Sequence, residues 1–197
     1  MMFQILVVKS LNIFSKKRKT EIINQNNLIN TAIPNKVITN VSSVNDDACK
    51  AILNQINPDI IVVNGTRIIS KKILSATNAK IINMHAGITP NYRGVHGAYW
   101  ALVNKDNENC GVTIHFVDAG IDTGNIIYQQ KITITKQDNF VTYPFLQLAA
   151  GLPFLSKAIA DISDKSIKTV AGSSVSALWS HPTIWQYLLY RVTKNVK

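Results

Sequence analysis

The sequence predicts an α/β fold built on a doubly wound, mostly parallel sheet, and two observations predict it. Ile60-Ile61-Val62-Val63 and Lys80-Ile81-Ile82-Asn83-Met84 are short apolar runs of the kind a strand shows when both its faces are covered. Each follows a stretch of helical character, and helix followed by strand, twice over, implies parallel pairing. With 46% hydrophobic and 16% charged residues over 197 positions, the chain suits one domain (1–197) with a real core, and a disordered chain or repeat array is set aside.

Taken in order, residues 1–14 are apolar but interrupted by Gln4, Lys9, Ser10 and Asn12, which predicts a buried helix or strand. The run is too short and too polar to span a bilayer, and its charges follow it, whereas a signal peptide carries them in front. Ala48, Ala51, Ile52 and Ile56 recur at helical spacing over 46–56, and Pro58 stops that helix. After the first strand, Asn64-Gly65-Thr66 reads as a turn and 68–74 as the start of a short helix. The second strand runs into a Gly- and Pro-rich loop over 85–97, followed by a helix over 98–104. Strands are predicted over 112–117 and 126–135, separated by the Gly-rich stretch 118–124. Residues 139–162 read as helix, broken or kinked at Pro144 and Pro153, and Thr183 can cap a last helix over 185–193. The ends stand apart: 1–45 as an atypical N-terminal part, 165–197 as a C-terminal helical tail.

Several classes of function drop out. Cys49 and Cys110 lie far apart without metal-like spacing, which argues against a disulfide scaffold or a zinc site and suits a reducing, cytoplasmic setting. No glycine precedes Gly65, so the strand and Gly-rich turn that open a dinucleotide-binding fold are missing. The formal net charge of +10 favours an anionic partner, nucleic acid or a phosphorylated metabolite among them, without naming it. Only Lys16-Lys17-Arg18-Lys19 is dense in charge, and such a run is more often a solvated helix end than a binding patch.

The chemistry gathers around Asn83-Met84-His85. Strand alternation puts Asn83 and His85 on one side, beyond the carboxyl end of a central strand, where open α/β sheets hold ligands. A histidine there is by itself more often structural, but downstream stands a loop with Asp118 and Asp122, whose glycines permit close backbone approach. Amide, imidazole and carboxylate suit acyl transfer to an amine: two donors for an oxyanion and a carboxylate to charge the imidazole and take a proton. No nucleophile elbow is present, which favours direct attack by the amine.

Asn83-x-His85, Pro90-Asn91-Tyr92-Arg93-Gly94, Gly111-Val112-Thr113-Ile114-His115-Phe116-Val117 and Gly120-Ile121-Asp122-Thr123-Gly124 together resemble the 10-formyltetrahydrofolate-dependent formyltransferases. That family includes glycinamide ribonucleotide, methionyl-tRNA and sugar N-formyltransferases, and the resemblance runs from about Pro58 to Gln130. It implies a Rossmann-like formyltransferase fold and an enzyme that moves a formyl group from 10-formyltetrahydrofolate to a small amine, an amino sugar or a nucleotide-linked one. Asn83 and His85 would polarise the formyl oxygen, and Asp122 would keep His85 charged and relay the proton. The pterin would lie near Thr66, Arg67, Ile68 and Ile69 and against Val117 and Asp118, and no metal is implied. On the acceptor side stand Arg93, His96 and His115, each with a structural alternative: Arg93 pinning its loop, His115 packing; Asp118 likewise could cap a turn.

Departures from the family are Ala86-Gly87-Ile88-Thr89-Pro90 where better-known members read Pro-Ser-Leu-Leu-Pro, and the absent first strand and glycine turn. These mark a side branch that is either shortened at its N-terminus or closes its sheet differently, with two alternatives to transfer: a non-catalytic folate-binding remnant, or hydrolysis of the formyl folate. Membrane partners are not expected and nucleic acid is disfavoured as a partner. An open sheet edge would favour a homodimer.

Overall fold

The computed structural model describes residues 3–29, 31–173 and 175–197. Its main sheet has four strands, β1 (Ile60–Val63), β2 (Lys80–His85), β4 (Gly111–Phe116) and β5 (Ile126–Lys131), in the order β1-β2-β4-β5. A second, two-stranded sheet pairs β3 (Arg93–Gly94) in parallel with β6 (Leu178–Trp179).

The α/β class holds, but the balance of pairings does not: β1 and β2 are parallel, whereas β4 runs antiparallel to both β2 and β5. A parallel neighbour needs a crossover long enough to return over the sheet. Loop 117–125 holds no helix, so β5 can only turn back beside β4. The helix between β2 and β4, α5 (Gly97–Val103), does not cross the sheet either; it packs with Tyr92, Phe140 and Tyr187 in a separate cluster beyond the strand ends.

Helix α3 (Asp47–Ile56) forms where predicted, with Asp46 accepting the Cys49 N–H at 2.8 Å, and it closes on Asn57 in the left-handed region just before Pro58. Of the short helix expected over 68–74, only α4 (Lys71–Leu74) forms. Helix α6 (Tyr143–Ser163) is unbroken: Pro144 sits in its first turn, where no N–H is needed, and Pro153 is carried inside. By length and composition α6 could cross a membrane. Here it lies along the sheet, with Ile82, Ile114, Ile127 and Ala158 in the shared core and Gly151 against Met84 and Val112. Its buried Gln147 donates to the Gly111 carbonyl at 2.6 Å.

The N-terminal residues are helical, a π-helical turn (Phe3–Val8) leading into α1 (Lys9–Phe14) and α2 (Lys16–Gln25). Met1, Met2 and Asn30 lie outside the described residues, and no strand precedes β1 among the described ones. Over residues 6–14 the expectation of burial is not met. Val7, Val8 and Leu11 pack on the aromatic cluster, but Ile13 and Phe14 are 74% and 85% exposed because only one helix face finds a partner. In the basic run, Arg18 turns inward and grips Asp138 with two bonds of 2.8 and 3.1 Å, so it ties α2 to the start of α6.

The tail over 165–197 is helical only in α7 (Ile184–Thr193), where Thr183 and Gln186 form the capping box that the sequence suggested. Ahead of α7, β6 is locked in place by aromatic stacking: Trp179 stacks on Tyr92 at 5.8 Å and on Trp100 at 4.9 Å. Both indole N–H groups are spent on backbone carbonyls, Trp179 on Asn91 and Trp100 on Ser180.

Candidate active site

Alternation along β2 turns Met84 toward α6 and sends Asn83 and His85 to the opposite face. The antiparallel register then sets His115 directly across from Asn83, and Thr113 across from His85. Cross-strand partners on one face are close enough to touch, and the Asn83 Nδ2 lies 3.3 Å from His115 Nε2. Thr113 instead ties down the turn after β2: its hydroxyl donates to the Gly87 carbonyl at 2.8 Å and accepts the Thr89 N–H at 3.1 Å. That turn delivers the Tyr92 carbonyl to His85 Nε2 at 2.7 Å.

Asp122 arrives from loop 117–125 with a left-handed backbone, φ 52°, a conformation Asp tolerates better than most residues. One carboxylate oxygen accepts the Gly94 N–H at 2.8 Å and stands 3.4 Å from His85 Nδ1. The other faces Asn83 Nδ2 at 3.4 Å and His115 Nε2 at 3.6 Å. Four polar side chains therefore share one small space, with His85 and His115 only 6% and 2% exposed.

Electrostatics divide the labour. Burial alone would raise the Asp122 carboxyl, but His115, the nearby His85 and the Gly94 N–H outweigh it and hold the group below the usual carboxylate range. His85 goes the other way: burial is the largest influence and takes its pKa below 6.5 despite the attraction of Asp122. Burial thus works against the charged ring that Asp122 was expected to hold. At pH 7 the ring is neutral, its Nε2–H is given to Tyr92, and Nδ1 faces the carboxylate with a free lone pair. His115 donates Nδ1–H to the Phe116 carbonyl at 2.7 Å, and its Nε2 faces both Asn83 Nδ2 and the Asp122 carboxylate.

This cluster lies at the floor of a cleft of about 1060 Å³. One wall is the loop after β1, with Thr66, Arg67, Ile68 and Ile69; a second is Val117, Asp118, Gly120 and Ile121. Gly94 and Val95, with Leu178, Trp179, Ser180 and His181, complete it.

Asn83, His85 and Asp122 are brought together as the sequence predicts, and the six residues assigned to the pterin side all line the cleft. His115 joins the cluster itself. Asp118 also caps its own turn, accepting from the Gly120 N–H and the Thr123 hydroxyl. Arg93 is not among the cleft residues and donates to the carbonyl of Ile121, which is, at 2.9 Å. His96 is not among the cleft residues; it packs 4.4 Å from the Phe140 ring and bonds to His181 at 2.8 Å, and burial pushes its pKa down to about 4.

Residues 5–144 match the formyl transferase family. The chain belongs to it. A methionyl-tRNA formyltransferase from Finegoldia magna is 37% identical over 60% of this chain, a stretch that spans 38% of that protein. The chain thus covers well under half the length of the curated relatives it matches. Among solved structures, the formyltransferase PseJ from Anoxybacillus kamchatkensis, in complex with UDP-4,6-dideoxy-4-formamido-L-AltNAc and tetrahydrofolate, is 26% identical. The two superpose with a TM-score of 0.56 over 70% of this chain and 71% of that one. An N-formyltransferase from Helicobacter canadensis, in complex with folinic acid and dTDP-3-aminofucose, is 25% identical with a TM-score of 0.57, covering 83% and 66%.

In this formyl transferase chain the sequence reading missed three contributors. The Tyr92 carbonyl and Gly94 N–H are backbone groups, invisible to a reading of side chains. The 178–181 wall lies beyond the matched residues, and the local signal is an aromatic run that most often packs a helix onto the core.

Proposed function

We propose that this chain transfers a formyl group from 10-formyltetrahydrofolate to the amine of a small molecule, an amino sugar or a nucleotide-linked amine. The observation that carries the reading is that Asn83 Nδ2 and His85 Nδ1 each stand 3.4 Å from an oxygen of the Asp122 carboxylate at the floor of a large cleft. The cleft fits the donor: its volume is that of a cofactor site, and its two facing loops offer apolar side chains and backbone groups to a flat heterocycle.

The donor supplies an electrophilic carbonyl carbon. Asn83 Nδ2 can turn its N–H from His115 and Asp122, both held at 3.3 to 3.4 Å, toward an oxygen on which negative charge builds. Asp122 and the unprotonated Nδ1 of His85 together accept the proton of the attacking amine. The new C–N bond forms as the bond to the folate nitrogen breaks, and the accepted proton is returned to that nitrogen. His85, once protonated at Nδ1, is stabilised by the adjacent carboxylate.

Two solved relatives, at 26% and 25% identity, carry nucleotide-linked sugars in their names, which supports the acceptor class. The methionyl-tRNA formyltransferases, at 37% identity, favour an aminoacyl-tRNA amine as a second reading. Incubation with 10-formyltetrahydrofolate and, in turn, a nucleotide-linked amino sugar, methionyl-tRNA or no amine separates them. Formylated sugar is the expected product. Formylated tRNA alone selects the second reading, loss of formyl without any amine shows hydrolysis, and donor binding without turnover refutes transfer.

A further inference from the structure

We infer that Arg93 is a positioning residue for Asp122, acting through a clamp in which two neighbouring residues of β3 hold two neighbouring residues of the Asp122 loop. The inference rests on the reading of Asp122 as the proton-accepting group.

Consecutive N–H groups along an extended strand point to opposite sides. The Arg93 and Val95 N–H groups face β6 and bond to the carbonyls of Ala177 and Trp179, each at 3.1 Å. The Gly94 N–H therefore points away from β6, and it meets the Asp122 carboxylate at 2.8 Å. One bond to a carboxylate oxygen fixes a distance but lets the group swing. Arg93 supplies the second point, its Nη1 donating to the Ile121 carbonyl at 2.9 Å, one residue earlier in the loop. With both bonds in place, the left-handed turn at Asp122 and the aim of its carboxylate toward Asn83 and His85 are set together.

The back of the clamp is rigid. Gly94 has φ 91°, and a Cβ there would lie 2.3 Å from the Trp179 carbonyl, so β3 sits flush on β6. Trp179 is in turn held between Tyr92 and Trp100. Arg93 is an odd choice for stability alone, because its Nε is buried without a hydrogen-bond partner among the described residues. A stranded donor counts against the folded state, so the value of the side chain lies in the contact that its Nη1 makes.

The test compares Arg93→Met, which removes the donor, with Arg93→Lys, whose ammonium can still reach one carbonyl. Amide exchange at Gly94 reads the clamp directly and needs no substrate. In Arg93→Met we expect Gly94 exchange to quicken by about tenfold or more while Val95 and Ile114 amides keep their rates, since only local opening is involved. The kcat for formyl transfer should fall about tenfold or more with the donor KM within about twofold, and Arg93→Lys should restore both readouts. Unchanged exchange at Gly94 overturns the inference. So does a uniform acceleration at Gly94, Val95 and Ile114 with a lower melting temperature, which marks a merely structural arginine. If the wild-type chain transfers no formyl group, the proposed function fails, and exchange at Gly94 still decides the clamp.

Discussion

Replacing Asp122 with Asn removes a charge while leaving the outline of the side chain intact. The amide oxygen can still accept the Gly94 N–H, which keeps the loop anchored, while the contact of the other carboxylate oxygen with Asn83 Nδ2 is lost. What disappears is the base, and with it the stabilisation of a proton arriving on His85. At 3.4 Å from His85 Nδ1, a full charge at an effective dielectric of about 20 is worth at most about 5 kcal/mol. A positioned acid–base group typically contributes about 10² to 10⁴ in rate. Asp122→Asn should therefore slow formyl transfer by about two to three orders of magnitude, about 2.7 to 4 kcal/mol on the barrier. Single-turnover measurement of formylated product, with protein in excess over donor, isolates that step. A loss under about tenfold in a folded variant would refute the assignment. So would a raised donor KM with unchanged kcat, since it would make Asp122 a binding group.

Other consequences can be checked alongside. His85→Ala should cost about two orders of magnitude in the same assay, because it removes the Nδ1 site that shares the amine's proton. His96 and His85 both have folded-state pKa values below the unfolded 6.5, so below that pH the unfolded chain binds more protons than the folded one. Stability is complete above pH 6.5 and falls as pH drops toward 4, by up to about 3 kcal/mol from His96 alone. Melting curves between pH 7.5 and 4.5 should show the loss, and His96→Asn, which keeps a left-handed residue type, should shrink it. Arg18→Met takes the cation from the fully buried Asp138 carboxylate and leaves it only its bonds from Thr135 and Thr142, and denaturant unfolding should register a loss of about 3 kcal/mol.

How much of this was legible in the sequence depends on how far apart the cooperating residues lie. Asn83 and His85 are two positions apart on one strand, so alternation alone put them on one face. Asp122 was reachable through its motif. His115 was named through the resemblance, but its place across from Asn83 needed the β2–β4 register, a nonlocal fact, and the same gap let a parallel sheet be inferred where β4 turns back. Strand β6 is only two residues long and owes its existence to β3 and to the stacked rings, so no window around Leu178 could reveal it. The balance at His85 between burial, which lowers its pKa, and Asp122, which raises it, was not legible because burial is a property of the finished fold.

The stacking of Trp179 between Tyr92 and Trp100 has a practical corollary. Of the three tryptophans in the sequence, two belong to that stack at the edge of the cleft, while Trp185 is 74% exposed on α7. Ultraviolet emission from the shielded pair and from the solvated one should respond differently to a dissolved quencher such as iodide. After Trp185→Phe, the remaining light would come from the indoles beside the cleft alone, turning the natural chain into its own reporter of what enters there.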